Sequence, residues 1–263
     1  MILGFVAPLG ALAGGAATAA PIYAAPKILT CSGGDFATQT FTTIPSGTYA
    51  KIKVTGACNV APNAVIHVLG NINVTAGAAF DAQSAPAKIT VDRDVNAAAG
   101  AIVGLGCLPN PTGHTTGHPC TVEPNRHSTI SVHGHITAFD ADTMLLNGIR
   151  VRGNVTLIGG GEDMIPWTVK DNKIGRSLLI AGVTPNWLGV ILNEVGGNVT
   201  LTNITITDPG DPTPTIFIAS NKVGRNLSCW GLGPNVSGGF PGEVNVVGGQ
   251  TFGQCVNLPI ATG

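Results

Sequence analysis

The chain has 263 residues, 13 Lys and Arg against 14 Asp and Glu, a formal net charge of −1, and only 10% charged residues. This balance speaks against a nucleic-acid partner, because phosphate binding needs clustered Lys and Arg and no run of them occurs. With 37 Gly, 18 Pro and many Val, Ile, Thr and Asn, the composition favours strands and tight turns over helices.

Residues 1–25 carry no charge and are rich in Ala, Gly and Leu. Ala17-Thr18-Ala19 and Tyr23-Ala24-Ala25 have the small residues of a signal cleavage zone, so the segment reads as a secretory signal. The basic leader of such a signal is missing, which leaves the translation start open, and a buried N-terminal helix is the competing reading. Gly and Pro interrupt the stretch too often for a spanning helix. The expected mature chain therefore has no transmembrane span and is secreted, extracellular or held at the cell surface.

Residues 26–60 read as an N-terminal cap, with alternating runs at 40–44 and 49–54 around the Pro45-Ser46-Gly47 turn. From residue 61 to 263 the grammar is that of coils: short β-prone runs such as Val65 to Leu69 and Gly70 to Thr75, separated by Gly, Asn, Asp or Pro. Residues 104–128 break it with Gly, Pro, Thr and His and read as an inserted loop. Alternation resumes at Thr129 to Ile136 and continues through Gly153 to Ile158.

The C-terminal half repeats a four-residue motif, Asn-x-(Ile/Val)-Gly, at Asn172, Asn193, Asn221 and Asn245, with starts 21, 28 and 24 residues apart. Five residues after each Asn stands Ser177, Asn198, Asn226 or Gln250. Self-similarity at this period marks a solenoid. A coil of this length fits three short strands and three turns, and stacked coils give parallel strands with right-handed connections. The fold class expected is an all-β, single-domain, right-handed parallel β-helix with short caps and one inserted loop. Asn at equivalent turns should form an amide ladder, with the Gly supplying a backbone angle that other residues resist.

The six cysteines fall into local pairs, and a solenoid brings adjacent coils together. The expected disulfides are Cys31–Cys58, Cys107–Cys120 and Cys229–Cys255, the last closing a C-terminal cap. An even count fits an oxidising compartment. No pair has the close spacing of a zinc site.

Candidate chemistry is sparse. His114 and His118 in the loop, with His133 and His135 placed on one strand face, are metal-ligand candidates because imidazole suits zinc or copper, although solvated loop and strand histidines are the plainer account. His127 lies beside them. Asp140 and Asp142, with Arg150 and Arg152 one coil on, are the catalytic candidates, since glycoside hydrolases place two carboxylates about 5–10 Å apart; turn aspartates and an outward charge pair are the plainer account. Asp92-Arg93-Asp94 and Glu162-Asp163 are further carboxylate pairs. Trp167, Trp187 and Trp230 are the candidate sugar platforms. Six Asn-x-Ser/Thr sequons, at Asn73, Asn154, Asn198, Asn203, Asn226 and Asn235, read as strand pattern, and Gly159-Gly160-Gly161 as a turn. No cofactor is expected.

The run Asn186-Trp187-Leu188-Gly189-Val190-Ile191-Leu192-Asn193-Glu194-Val195-Gly196-Gly197-Asn198-Val199-Thr200, the run Asn221 to Cys229 and the closing Gly253-Gln254-Cys255 resemble uncharacterised secreted proteins of actinobacteria. Those proteins are built of repeated N-x-V-G-G-N-L units and end in G-Q-C. Arg176 and Arg225 stand where that pattern has a second Gly, and Ser177 where it has Asn. The resemblance implies a right-handed β-helix and secretion, and brings no activity. The function expected is a secreted or surface scaffold, non-enzymatic, with a cell-envelope glycan or a protein as partner along a strand face. The alternative is a polysaccharide lyase or hydrolase on the same scaffold.

Overall fold

The computed structural model describes residues 25–109, 117–162, 164–208, 215–239, 242 and 244–259. Residues 1–24, where a secretory signal was expected, His114 and Asp163 lie outside them. The alternation of apolar and polar residues is realised as short strands with one buried and one outward face. In Ile136–Phe139, for example, Ile136 and Ala138 are buried while Phe139 is exposed.

The strands form three parallel sheets of 10, 9 and 9 strands, each ordered along the chain. The chain visits the sheets in rotation, so each turn of a coil gives one strand to each sheet, and the fold is a parallel β-helix. The first sheet runs from Ile28–Cys31 to Thr251–Gly253, the second from Thr42–Ile44 to Asn235–Ser237, and the third from Gly47–Tyr49 to Val246–Val247. Register aligns like with like. Val155, Leu178, Val199 and Leu227 form one aliphatic stack of the first sheet, and Val132, Val151, Ile174, Val195 and Val223 form one of the third. Trp167, fully buried, fills the interior between coils and donates its indole N–H to the Asp142 carbonyl at 2.8 Å.

The structure corrects two boundaries. Residues 26–60 are not a separate cap, because Ile28–Cys31, Thr42–Ile44, Gly47–Tyr49, Lys51–Val54 and Ala57–Val60 are already paired in the three sheets. What projects there is a short hairpin closed by Asp35 and Thr40, with Phe36 edge-on to Phe41 at 6.2 Å. The insertion begins only after Ile102–Leu105, which belongs to the second sheet, and ends at Thr129–Val132 in the third. Its base is closed by an antiparallel bridge between Leu108 and His118 and by the Cys107–Cys120 disulfide. The other disulfides are Cys31–Cys58 and Cys229–Cys255, so all six cysteines pair with their nearest neighbours. At the far end a 3-10 turn, Gln254–Asn257, follows the last strand and buries Cys255.

The expected amide ladder is present and interior. Asn172, Asn193, Asn221 and Asn245 each donate Nδ2 to a carbonyl of the preceding coil, those of Leu146, Val169, Val190 and Ile218 at 2.7–2.8 Å. Nδ2 of the first three also reaches the next Asn Oδ1, at 2.9–3.0 Å. Each Oδ1 accepts in turn from the backbone N–H of the equivalent residue one coil earlier, starting with Ile149.

The same interior column is aliphatic in the earlier coils, where Ile66, Ile89 and Ile130 occupy it. Strands of the third sheet there have four residues, as in Val65–Val68, and only two from Arg150–Val151 onward. In the later coils the residue before the column turns into the left-handed region: Gly148, Asp171, Leu192 and Ser220 have φ between 54° and 69°. The asparagine side chains thus replace hydrogen bonds that the longer strands make with backbone.

The motif glycines have a different cause from the one expected. Gly175, Gly196, Gly224 and Gly248 are absent from the positive-φ glycines. A Cβ on each would instead stand 2.5–2.8 Å from a carbonyl oxygen of the preceding coil. Close stacking at this corner, not backbone angle, demands glycine.

Candidate functional site

The predicted histidine and carboxylate sites are dispersed by the fold. His133 and His135 do not share a strand face, because the strand ends at Val132 and the two flank the turn at Gly134. A Cβ at Gly134 would collide with the Arg93 carbonyl, which fixes the break there. His133 Nδ1 lies 3.3 Å from Asp92 Oδ1, and His67 Nε2 lies 2.9 Å from the other oxygen of the same carboxylate. His135 Nδ1 accepts the Asn154 N–H at 3.1 Å and so belongs to a turn. Among the described residues no three His, Cys, Asp or Glu side chains converge as a metal site.

Asp140 and Asp142 sit at the corner between the first and second sheets, just after Ile136–Phe139 and just before Thr143–Asn147. Arg150 is on the third sheet and Arg152 at the corner beyond it. The two pairs are therefore on different sides of the coil and share no groove. What faces Asp142 is Glu162: burial first, and then the Glu162 charge, raise the Asp142 carboxyl above its ordinary range. Glu162 itself is held by the Met164 and Ile165 amides, at 3.0 and 2.7 Å, and by Thr143 Oγ1 at 3.3 Å. Of the tryptophans, Trp167 is core, Trp187 packs on Phe217 at 5.6 Å, and Trp230 is exposed on the first sheet.

The corner between the third and first sheets explains the polar residue that follows each motif. Side chains of Asn71, Asp94, His135, Asn154, Ser177, Asn198 and Asn226 each accept the backbone N–H of their counterpart one coil later, at 2.8–3.2 Å. Three of the sequon asparagines are rungs of this ladder. Any acceptor side chain serves, which is why its early rungs have no single letter.

The insertion folds back over the second sheet. Lys170 Nζ donates to the Gly117 carbonyl at 2.8 Å. Burial lowers the Lys170 ammonium from its usual value. His118 is likewise lowered, by burial and then by Lys170, with Asp81 opposing. Asp171 is raised by burial, against the pull of Lys170. This cluster anchors the loop base and couples it to charge.

The third sheet presents the feature that the sequence hides. Its outward column reads His67, Thr90, Ser131, Arg150, Lys173, Glu194 and Lys222, one residue per coil. Beside it at the corner stand Arg152, Arg176 and Arg225, all exposed. Within the column Lys173 Nζ pairs with Glu194 Oε2 at 3.0 Å, while His67 at its start faces Asp92. The hydrogen bond from Lys173, then its charge, hold Glu194 below the ordinary carboxylate range. The return limb of the insertion walls the earlier coils. A cleft of about 470 Å³ is lined by Asn63, Lys88, Arg126 and His127 among others, and a second of about 260 Å³ by His127, Ser131, Arg150 and Lys173 among others. The two adjoin at His127 and Thr129, and the second reaches Arg150 and Lys173 of the charged column.

The chain matches no protein-family model, no curated protein and no solved structure.

Proposed function

We propose that the protein is a binding scaffold exported from the cell, secreted or held at its surface, that recognises a glycan or a protein partner along a strand face without turning it over. The single observation that carries this reading is the outward column of the third sheet, a row of solvent-facing side chains in register, one per coil. A rigid stack of parallel strands holds such a row at about 4.8 Å per step, a spacing suited to an extended partner. Three disulfides support an oxidising compartment, and among the described residues no helix is long and apolar enough to cross a membrane. The resemblance of the C-terminal coils to secreted actinobacterial repeat proteins supports the same reading.

A carbohydrate-active enzyme on this scaffold is the second reading. What favours it is the Asp142 carboxyl, raised by burial and then by the neighbouring Glu162 charge, since a raised carboxyl suits general-acid chemistry. A glycan panel on the purified, oxidised protein, with product analysis of every hit, separates the two. Binding without new reducing or unsaturated ends supports the scaffold; cleavage abolished by Asp142→Asn would replace it with the enzyme.

A further inference from the structure

Six of the chain's 13 Lys and Arg gather on one side of four successive coils: Arg150, Arg152, Lys173, Arg176, Lys222 and Arg225. Glu194 is the one acidic side chain of the column itself, and Asp171 lines the cleft beside Arg150 and Lys173. The whole chain is nearly neutral, so this face is a local excess of positive charge against a neutral background. The first sheet offers the contrast. Its outward column beyond Lys53 is Asn73, Asn96, Thr137, Thr156, Leu179, Thr200 and Ser228, without a charge.

Five of its six cations have no side-chain ion pair among the described residues, so their charge is open to a partner's anions. The register then sets the spacing a partner must match. Arg150 and Lys173 are one coil apart, about 4.8 Å, while Lys173 to Lys222 and Arg176 to Arg225 are two coils apart, about 9.6 Å. Glu194 occupies the coil between.

We infer that the third sheet binds an acidic polysaccharide laid along the solenoid axis, its anionic groups meeting Arg150, Lys173 and Lys222 with the corner arginines alongside. This rests on the strand-face reading above and gives it a ligand class. Three observations favour an acidic glycan over a nucleic acid. A duplex polynucleotide brings a charge every ~3.4 Å of strand, out of step with cations about 4.8 and 9.6 Å apart, whereas a polysaccharide with one anion per sugar unit spaces its charges more widely. The column carries no aromatic side chain on which bases could stack. Among the described residues no helix stands on this face to enter a major groove. The cleft beside the insertion continues the path past Lys88, and Arg126 there is paired with Glu123 at 3.2 Å.

The test uses the full, oxidised chain and size-defined oligomers of polygalacturonate, with neutral galactan oligomers, single-stranded DNA of matched charge and anionic phosphatidylserine vesicles as comparators. The triple variant Arg150→Gln, Lys173→Gln, Lys222→Gln should weaken polygalacturonate binding at least tenfold and flatten its salt dependence. Lys27→Gln, Lys51→Gln, Lys53→Gln, an equal charge change on the first-sheet side, should change it less than twofold. Glu194→Gln removes the carboxylate and frees Lys173, and should tighten binding several-fold. All three variants change solvent-facing groups, and their circular dichroism and melting should match the parent.

Equal binding of neutral galactan, or an unaffected triple variant, would overturn the acidic-glycan assignment while leaving strand-face recognition intact. Tighter binding of DNA or vesicles at matched charge would overturn it in favour of those partners. Silence toward every glycan would overturn both the assignment and the glycan form of the proposed function.

Discussion

Replacing Asn193 by Leu tests the interior ladder at its best-satisfied rung. The Asn193 amide makes four hydrogen bonds. It donates to Val169 O at 2.7 Å and to Asn221 Oδ1 at 2.9 Å, and it accepts from Asn172 N at 3.1 Å and Asn172 Nδ2 at 3.0 Å. That is the full capacity of an amide, at a residue 1% exposed. Leucine leaves two buried Asn172 donors unpaired, at about 2 kcal/mol each. Asn221 Oδ1 keeps the Asn193 N–H. Burying the leucine side chain returns about 2 kcal/mol. The net loss is about 2 kcal/mol for Leu and about 4 kcal/mol for Ala, which gains no apolar burial. Because a solenoid opens coil by coil, the readout is amide exchange at Asn172, Lys173 and Asn221, with Ile72 and Val95 as distant references. Protection at the near amides should fall about 30-fold for Leu, since 1.4 kcal/mol is a factor of ten, and further for Ala, with the references unchanged. If Leu were neutral, or cost more than Ala, the ladder would not be what holds this corner.

Three further predictions follow from the same geometry. Leu192 is in the left-handed region at φ 59° and exposed, so Leu192→Asn should stabilise by about 0.5–1 kcal/mol and the β-branched Leu192→Val should destabilise, read as shifts in denaturant midpoint. Cys31→Ser with Cys58→Ser opens a loop of 27 residues, so it should cost about 3.5 kcal/mol by the chain-entropy estimate. That cost should be concentrated in the first coil and visible as lost protection of Thr55 N–H, which donates to Cys31 O at 2.8 Å. The His118 imidazole is lowered in the fold, so its contribution to loop docking is present above its unfolded value of about 6.5 and is lost as pH falls through that value toward the folded one. Asp171, raised in the fold, acts oppositely: its contribution is present below its unfolded value and is lost as pH rises through the folded one. Protection of the Leu108 and His118 amides, corrected for intrinsic exchange, should therefore fall between pH 7.5 and 5.5 and stay flat in His118→Gln.

The C-terminal coils were legible because each interior amide shares a hydrogen bond with its copy one coil away, so Asn recurs in register. The earlier coils carry isoleucine in the same column, and isoleucine at a buried position says only that a strand is there. Ile66, Ile89 and Ile130 therefore read as separate runs, and residues 26–60 as a cap. The corner ladder was visible at Ser177, Asn198, Asn226 and Gln250 and hidden at Asp94 and His135, where an unrelated side chain supplies the same acceptor. Nearest-neighbour cysteine pairing followed from the solenoid, because coils that stack in sequence leave each cysteine one candidate partner. The paired carboxylates and paired histidines failed for one reason. Residues two apart share a face only inside a strand, and Asp140–Asp142 and His133–His135 each straddle a corner. The basic row was only partly legible: the motif already aligned Lys173, Glu194 and Lys222 at its second position, but Arg150 lies before the first motif and joins them only through the coil register. Had the Asn register been extended backward through the isoleucines, the column would have appeared.

Lysine-reactive labelling with mass-spectrometric readout, in the presence and absence of a bound polygalacturonate oligomer, tests the central claim most directly. Recognition along the third sheet predicts protection of Lys173, Lys222 and Lys88, with Lys27, Lys51, Lys53 and Lys170 labelled as in the free protein. Protection confined to Lys51 and Lys53, or to Lys170 on the second sheet, would place the ligand on another face and contradict the account.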